Sequence, residues 1–251
     1  MEEWYAYPLL VLVGFIVGFI NTVAGGGSLL SLPILIFLGL PSTLANGTNR
    51  VAVIFQTAMA TVGFKSKGVS TFPFNLYLGC SAFLGSIIGA NLAVDISGAL
   101  FNRILAIVMI CVVLIIAFGP KMGVKEVQER LTGKYLWLGI LAFFFFGVYG
   151  GFINAGIGFI IMLFLHYINR MSLVRSNATK VAVVFLYMVS ALVVFAWNDQ
   201  VDWKIGLILA IGNGSGAWVA SRVSVNMGDG FVKKFLIIMV LILAIKLWFY
   251  R

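Results

Sequence analysis

Two apolar runs in this chain, about residues 8–40 and 135–168, are too long for one passage through a bilayer, and glycine and polar residues interrupt each near its middle. Six further runs, about 46–64, 72–94, 99–119, 177–197, 203–222 and 231–250, have the length of a single helix crossing a hydrocarbon core of ~30 Å. A straight helix over 8–40 would reach roughly 50 Å at ~1.5 Å per residue, well past that core. The interruptions are Asn21, Thr22, Gly25, Gly26, Gly27 and Ser28 in the first long run, and Gly150, Gly151, Asn154, Gly156 and Gly158 in the second. Each long run therefore predicts two shorter helices meeting at a break.

Composition places these runs in a membrane rather than in a soluble core. The chain is 62% hydrophobic and 10% charged, with a mean hydropathy of +1.09, which leaves too little polar surface for a soluble domain of 251 residues. The net charge of +9 does not indicate nucleic acid, because the 17 Lys and Arg lie in short clusters between apolar runs, with no basic aromatic stripe. Cys80 and Cys111 fall inside apolar runs without a CxxC or Cys/His grouping, so two buried reduced thiols are expected. Glu2 and Glu3 precede the first run, which continues beyond a cleavable length, so no signal peptide is expected.

The loop charges choose between crossings and hairpins. If both long runs crossed once, Lys and Arg would divide 8 against 9. If each is a hairpin whose ends emerge on one side, that side collects twelve: Lys65, Lys67, Lys121, Lys125, Arg130, Lys134, Arg170, Arg175, Lys180, Arg222, Lys233 and Lys234. Only Arg50, Arg103, Lys204, Lys246 and Arg251 remain opposite. The positive-inside rule puts the twelve in the cytoplasm and both termini outside the cell's inner (plasma) membrane. A hairpin plus three spans crosses an odd number of times, so related halves must be inverted. The halves are related: Gly18-Phe19-Ile20-Asn21 recurs as Gly151-Phe152-Ile153-Asn154, and Asn46-Gly47-Thr48 as Asn177-Ala178-Thr179. Gly85, Gly89, Ala90 and Ala93 recur as Gly212, Gly216, Ala217 and Ala220. The expected fold is an all-α polytopic membrane protein of two inverted repeats, 1–119 and 135–251, each a broken-helix hairpin plus three transmembrane helices. A cytoplasmic linker at 120–134 joins them.

The breaks are the candidate binding site. Helices starting near Ser28 and Gly156 would aim free N–H groups and positive dipole ends at the membrane interior, where glycine permits close backbone approach. Asn21, Thr22, Ser28 and Asn154 add donors, so an anion could be held between the breaks. Glycine here also serves close helix packing, the role assigned to Gly85/Gly89 and Gly212/Gly216. A second constellation comprises Asn46, Thr48, Asn49 and Arg50 with Asn177, Thr179 and Lys180. Asn and Thr can cap helix starts, and the two cations can either attract substrate or snorkel to the interface. The lone His166 reads as structural. No carboxylate lies deep in a span, no Walker motif is present, and no metal or other cofactor is expected.

The run GFINTVAGGGSLLSLPILIFLGLPSTLANGTNRVAV, Gly18 to Val53, resembles the signature of the sulfite exporter TauE/SafE family. GGFINAGIGFIIMLFLHYINRMSLVRSNATKVAV, Gly150 to Val183, resembles its second copy, with Ile157 standing inside what is often a run of glycines. The resemblance covers essentially the whole chain. It implies a permease for sulfite, a sulfonate or another small anion; with the two hairpins, the expected mechanism is alternating access at a site between them, and no enzyme activity is expected. The implied partners are that anion and the lipid bilayer, and a homodimer is compatible with this reading. A membrane assembly subunit and a membrane-embedded enzyme are the alternatives. The enzyme would need a nucleophile–base pair or metal ligands at depth, and the sequence offers neither.

Overall fold

A computed structural model describes residues 6–118 and 128–223. Among them are nine helices and no strand: α1 Ala6–Ala24, α2 Ser28–Phe37, α3 Ser42–Ser66, α4 Phe74–Val94, α5 Gly98–Phe118, α6 Lys134–Phe152, α7 Ile157–Tyr167, α8 Leu173–Trp197 and α9 Trp203–Val223. The termini, the middle of the linker and the run at 231–250 lie outside the described residues. Both long runs break where glycine and asparagine permit it. Gly25, Asn154 and Gly156 have φ of 76°, 56° and 72°, in the left-handed region where a helix cannot continue. The resulting arms α2 and α7 have 10 and 11 residues, about half of what a ~30 Å core requires.

The helices pair off in length between the two halves. α1 and α6 have 19 residues each, α3 and α8 have 25 each, and α4 and α9 have 21 each. Two backbone seams join the halves. On α1 and α9, Gly14 abuts Leu209 and Gly212, while Gly212 and Gly216 abut the carbonyls of Val11 and Phe15. On α4 and α6, Gly147 and Gly151 abut Ala82 and Ser86, while Gly85 and Gly89 abut the carbonyls of Phe144 and Val148. A Cβ at any of these glycines would overlap backbone, so the packing role expected for the small-residue repeats is the one seen.

The same contacts give the helix senses. Residue numbers rise together along α1 and α9, and along α3 and α9, where Thr48 and Val51 meet Gly206 and Gly63 meets Ser221. So α1 and α3 run the same way, and α2 returns the chain to the side on which α1 began. Numbers likewise rise together along α4 and α6, and along α4 and α8, where Gly79 meets Leu186 and Ala90 and Ala93 cluster with Ala191 and Phe195. They run oppositely along α3 and α8, where Phe64 clusters with Ala178 and Val181 while Arg50 reaches Met188.

Polarity is arranged for lipid. Leu84, Leu92, Leu141, Val193 and Ile211 face outward, whereas Asn46, Asn49, Gln56, Asn154, Lys180 and Asn213 are buried. By length and composition α4, α5, α6 and α8 are apolar enough to span a membrane. Cys80 and Cys111 are free thiols on the outer surface. This corrects the expectation that they are buried: an apolar run fits a lipid-facing position as readily as an interior one. The basic helix ends gather on one face, where Arg175 pairs with Glu129 at 2.7 Å and donates to the Ser70 carbonyl, and Arg130 and Asn169 bond each other. His166 contacts the Met171 carbonyl at 2.9 Å, a local structural tie.

Candidate functional site

The two breaks touch. Gly25 and Gly158 lie so close that a Cβ on Gly25 would come within 2.6 Å of the Phe159 nitrogen, and one on Gly158 within 2.7 Å of the Gly25 oxygen. Beside this contact is a cavity of about 10 Å³, lined by Asn21, Gly25, Gln56, Thr57, Asn154, Ile157, Gly158, Lys180 and Val184. That is room for roughly one water molecule.

Each break is tied by its asparagine. Asn21 Oδ1 accepts from the Gly27 amide at 3.0 Å, and its Nδ2 donates to Gln56 Oε1 at 3.0 Å. Asn154 donates to Ser28 Oγ at 2.9 Å, which links the second break to the start of α2, and accepts from the Tyr187 hydroxyl at 2.7 Å. Gln56 of α3 and Tyr187 of α8 thus serve the two asparagines in parallel. At the start of α7 the Phe159 amide donates to the Gly156 carbonyl at 3.1 Å, the Ile157 and Gly158 amides precede any intrahelical acceptor, and Gly158 is among the cavity residues.

The two buried cations hold the ends of α1 and α6, where each broken helix stops. Lys180 Nζ donates to the carbonyls of Asn21 and Thr22, the last turn of α1, at 3.1 and 3.2 Å. Arg50 donates to the carbonyls of Gly150, at 3.2 Å, and Gly151, in the last turn of α6. It also donates to Asn46 Oδ1 at 3.3 Å and lies 4.4 Å from the Phe195 ring centre. Asn46 adds a bond to the Phe152 carbonyl at 2.8 Å. A helix ending inside a bilayer has no water for its last carbonyls, and a cation there also meets the negative dipole end. Arg50 is 1% exposed and Lys180 3%, so both cations lie in the interior.

Of the residues expected at the site, Asn21, Gly25, Asn154, Gly158 and Lys180 line the cavity. Thr22, Gly26, Gly27, Ser28 and Gly156 belong to the breaks but do not line it. Arg50, Asn49 and Asn177 are buried away from it, Thr48 accepts from the Asp202 amide, and Thr179 bonds Thr71. Sequence reasoning missed Gln56, Thr57 and Tyr187. Gln56 carried a usable signal, since an amide in the middle of an apolar run needs an interior partner.

Such a fold, apolar outside and polar where two broken helices meet, is that of a multi-pass membrane protein. The chain belongs to the sulfite exporter TauE/SafE family, whose model matches residues 10–247, and is a membrane transporter of that family. It is 28% identical to a probable membrane transporter protein of Haemophilus influenzae over 96% of both chains. It is 29% identical to the probable membrane transporter protein ORF9 of a Sinorhizobium species, over 97% of this chain and 93% of that one. The probable membrane transporter protein YfcA of Escherichia coli is 28% identical over 95% of this chain and 88% of its own. No solved structure matches.

Proposed function

We propose that the chain carries small anions, sulfite or an organosulfonate or a related oxyanion, through a site at the cavity between the two breaks, which widens from room for about one water molecule to admit them. The observation that carries this reading is the lining: two asparagines, a threonine, the start of α7 and a lysine ammonium, with no carboxylate. The one charge there and the start of α7 favour a negative guest, and Lys180 offsets the negative end of α1. The family name points to the same class of substrate. The paired helix lengths and the opposed senses of α3 and α8 support inverted repeats, which would open a central site to each face in turn. Purified protein in liposomes should transport sulfite saturably. Absence of flux for sulfite and for a panel of sulfonates and oxyanions would favour an assembly subunit. Chemical conversion of the anion without flux would favour an enzyme.

The membrane is proposed to be the inner (plasma) membrane, with the basic face carrying Lys65, Lys67, Arg130 and Arg175 in the cytoplasm. Cysteines introduced at Lys67 and at Asn198 should then react with an impermeant thiol reagent from opposite sides. Labelling of Lys67→Cys from outside intact cells would reverse the orientation.

A further inference from the structure

The two buried cations differ in where their remaining donors lie relative to the cavity, which Lys180 lines and Arg50 does not. Lys180 presents three N–H donors, of which two go to the Asn21 and Thr22 carbonyls. Its third neighbour is the Met162 sulfur at 3.8 Å, a weak acceptor, and the side chain lines the cavity. Arg50 is turned elsewhere: its terminal nitrogens bind two carbonyls, Asn46 and, at 3.7 Å, the Met188 sulfur, its Nε is buried without a partner, its guanidinium lies 4.4 Å from the Phe195 ring centre, and it does not line the cavity.

Resting on the anion reading above, we infer a division of labour in which Lys180 alone is the counter-charge of the transported anion, while Arg50 is a positioning residue that fixes the end of α6. Lys180 also caps α1, so the same ammonium is shared between guest and helix. An anion that takes part of it weakens its hold on the Asn21 and Thr22 carbonyls. Occupancy of the cavity is thereby linked to release of the α1–α2 hairpin. The α6–α7 hairpin, clamped by Arg50 outside the cavity, feels no such pull.

The test uses the full-length protein with sulfite as the probe, reading flux in liposomes and the sulfite-dependent rise in melting temperature. Lys180→Met should raise the half-saturating concentration at least tenfold, the order expected for losing a charge at ~4 Å. Arg50→Gln should lower the melting temperature without sulfite, yet leave the half-saturating concentration within about twofold, since a tenfold change needs ~1.4 kcal/mol of lost contact. Lys180→Arg keeps charge and capping donors but presents a planar fork. It should bind saturably with a changed order of preference among sulfite, sulfate and acetate, and this variant decides between the two roles if Lys180→Met does not fold. Unchanged half-saturation in Lys180→Met, an equal shift in Arg50→Gln, or an unchanged anion order in Lys180→Arg overturns the inference. The absence of any sulfite response in the unaltered protein would instead count against anion transport itself.

Discussion

The first break and the second face the same physical problem, a helix that stops inside apolar surroundings, and they solve it differently. At the first, three consecutive glycines make the turn and a lysine holds the exposed carbonyls. At the second, Asn154 takes the left-handed turn, Tyr187 and Tyr149 bond Asn154 and the Ala155 carbonyl, and an arginine holds the helix end. The second break is braced by side chains from several directions. The first rests on backbone freedom, on the Lys180 ammonium and on Asn21, which bonds the Gly27 amide and Gln56. A cation thus meets each helix end, but the geometry with which it does so differs.

The most damaging way to disturb this pairing is at the point of contact. Gly25→Val puts a branched side chain at a φ of 76° and against the backbone of Gly158. Strain of about 1–3 kcal/mol plus the clash should force the breaks apart. Sulfite flux should vanish while membrane insertion continues, and normal flux at equal expression would refute the closeness of the two breaks. A smaller effect is expected at the arginine clamp. Arg50→Gln removes charged hydrogen bonds worth roughly 1.5–3 kcal/mol each, partly offset by relief of a buried charge. The purified protein should therefore unfold several degrees earlier. Arg50→Lys should recover only part, because a compact ammonium cannot span two carbonyls, Asn46 and a ring together. Full recovery would make the charge, not the fork, the essential element.

The least effect should come from the brace. Tyr187→Phe deletes one hydrogen bond to Asn154, a loss of about 1 kcal/mol within a membrane. It should lower stability slightly and slow flux a few-fold, measured side by side with Gln56→Leu at the first break. Gln56 bonds Asn21 directly and lines the cavity, so its loss should alter half-saturation as well as rate. Equal kinetic behaviour of the two variants would show that the breaks are more alike than their bracing suggests.

Much of this was open to reading from the chain. The breaks were visible because glycine, asparagine and serine are costly inside an apolar run unless backbone must turn there. The glycine seams were visible because the small residues recur in both halves at helical spacing. What Arg50 and Lys180 do was not visible, because their partners lie 100 and 159 residues away in the other half. Positions before an apolar run looked like an interface; in space they are interior, since α3 and α8 carry their polar ends into the bundle. The cysteines misled for the converse reason: lipid and protein interior are both apolar, and the long runs here carry no periodicity that separates them.

The two glycine seams divide the molecule along a line the chain does not follow. α1 and α3 of the first half are bound side by side to α9 of the second, and α6 and α8 of the second to α4 of the first. Each of these bodies is thus woven from both halves, with backbone packed on backbone along α1–α9 and α4–α6 and side chains such as Val51, Ser221 and Leu186 between α3 and α9 and between α4 and α8. The bodies meet along the antiparallel pair α3 and α8 and where Gly25 touches Gly158. Gln56 and Thr57 on one side and Lys180 and Val184 on the other line the cavity along that border. If the chain works by the alternating access proposed above, its joint would be the line on which the cavity sits rather than residues 120–134.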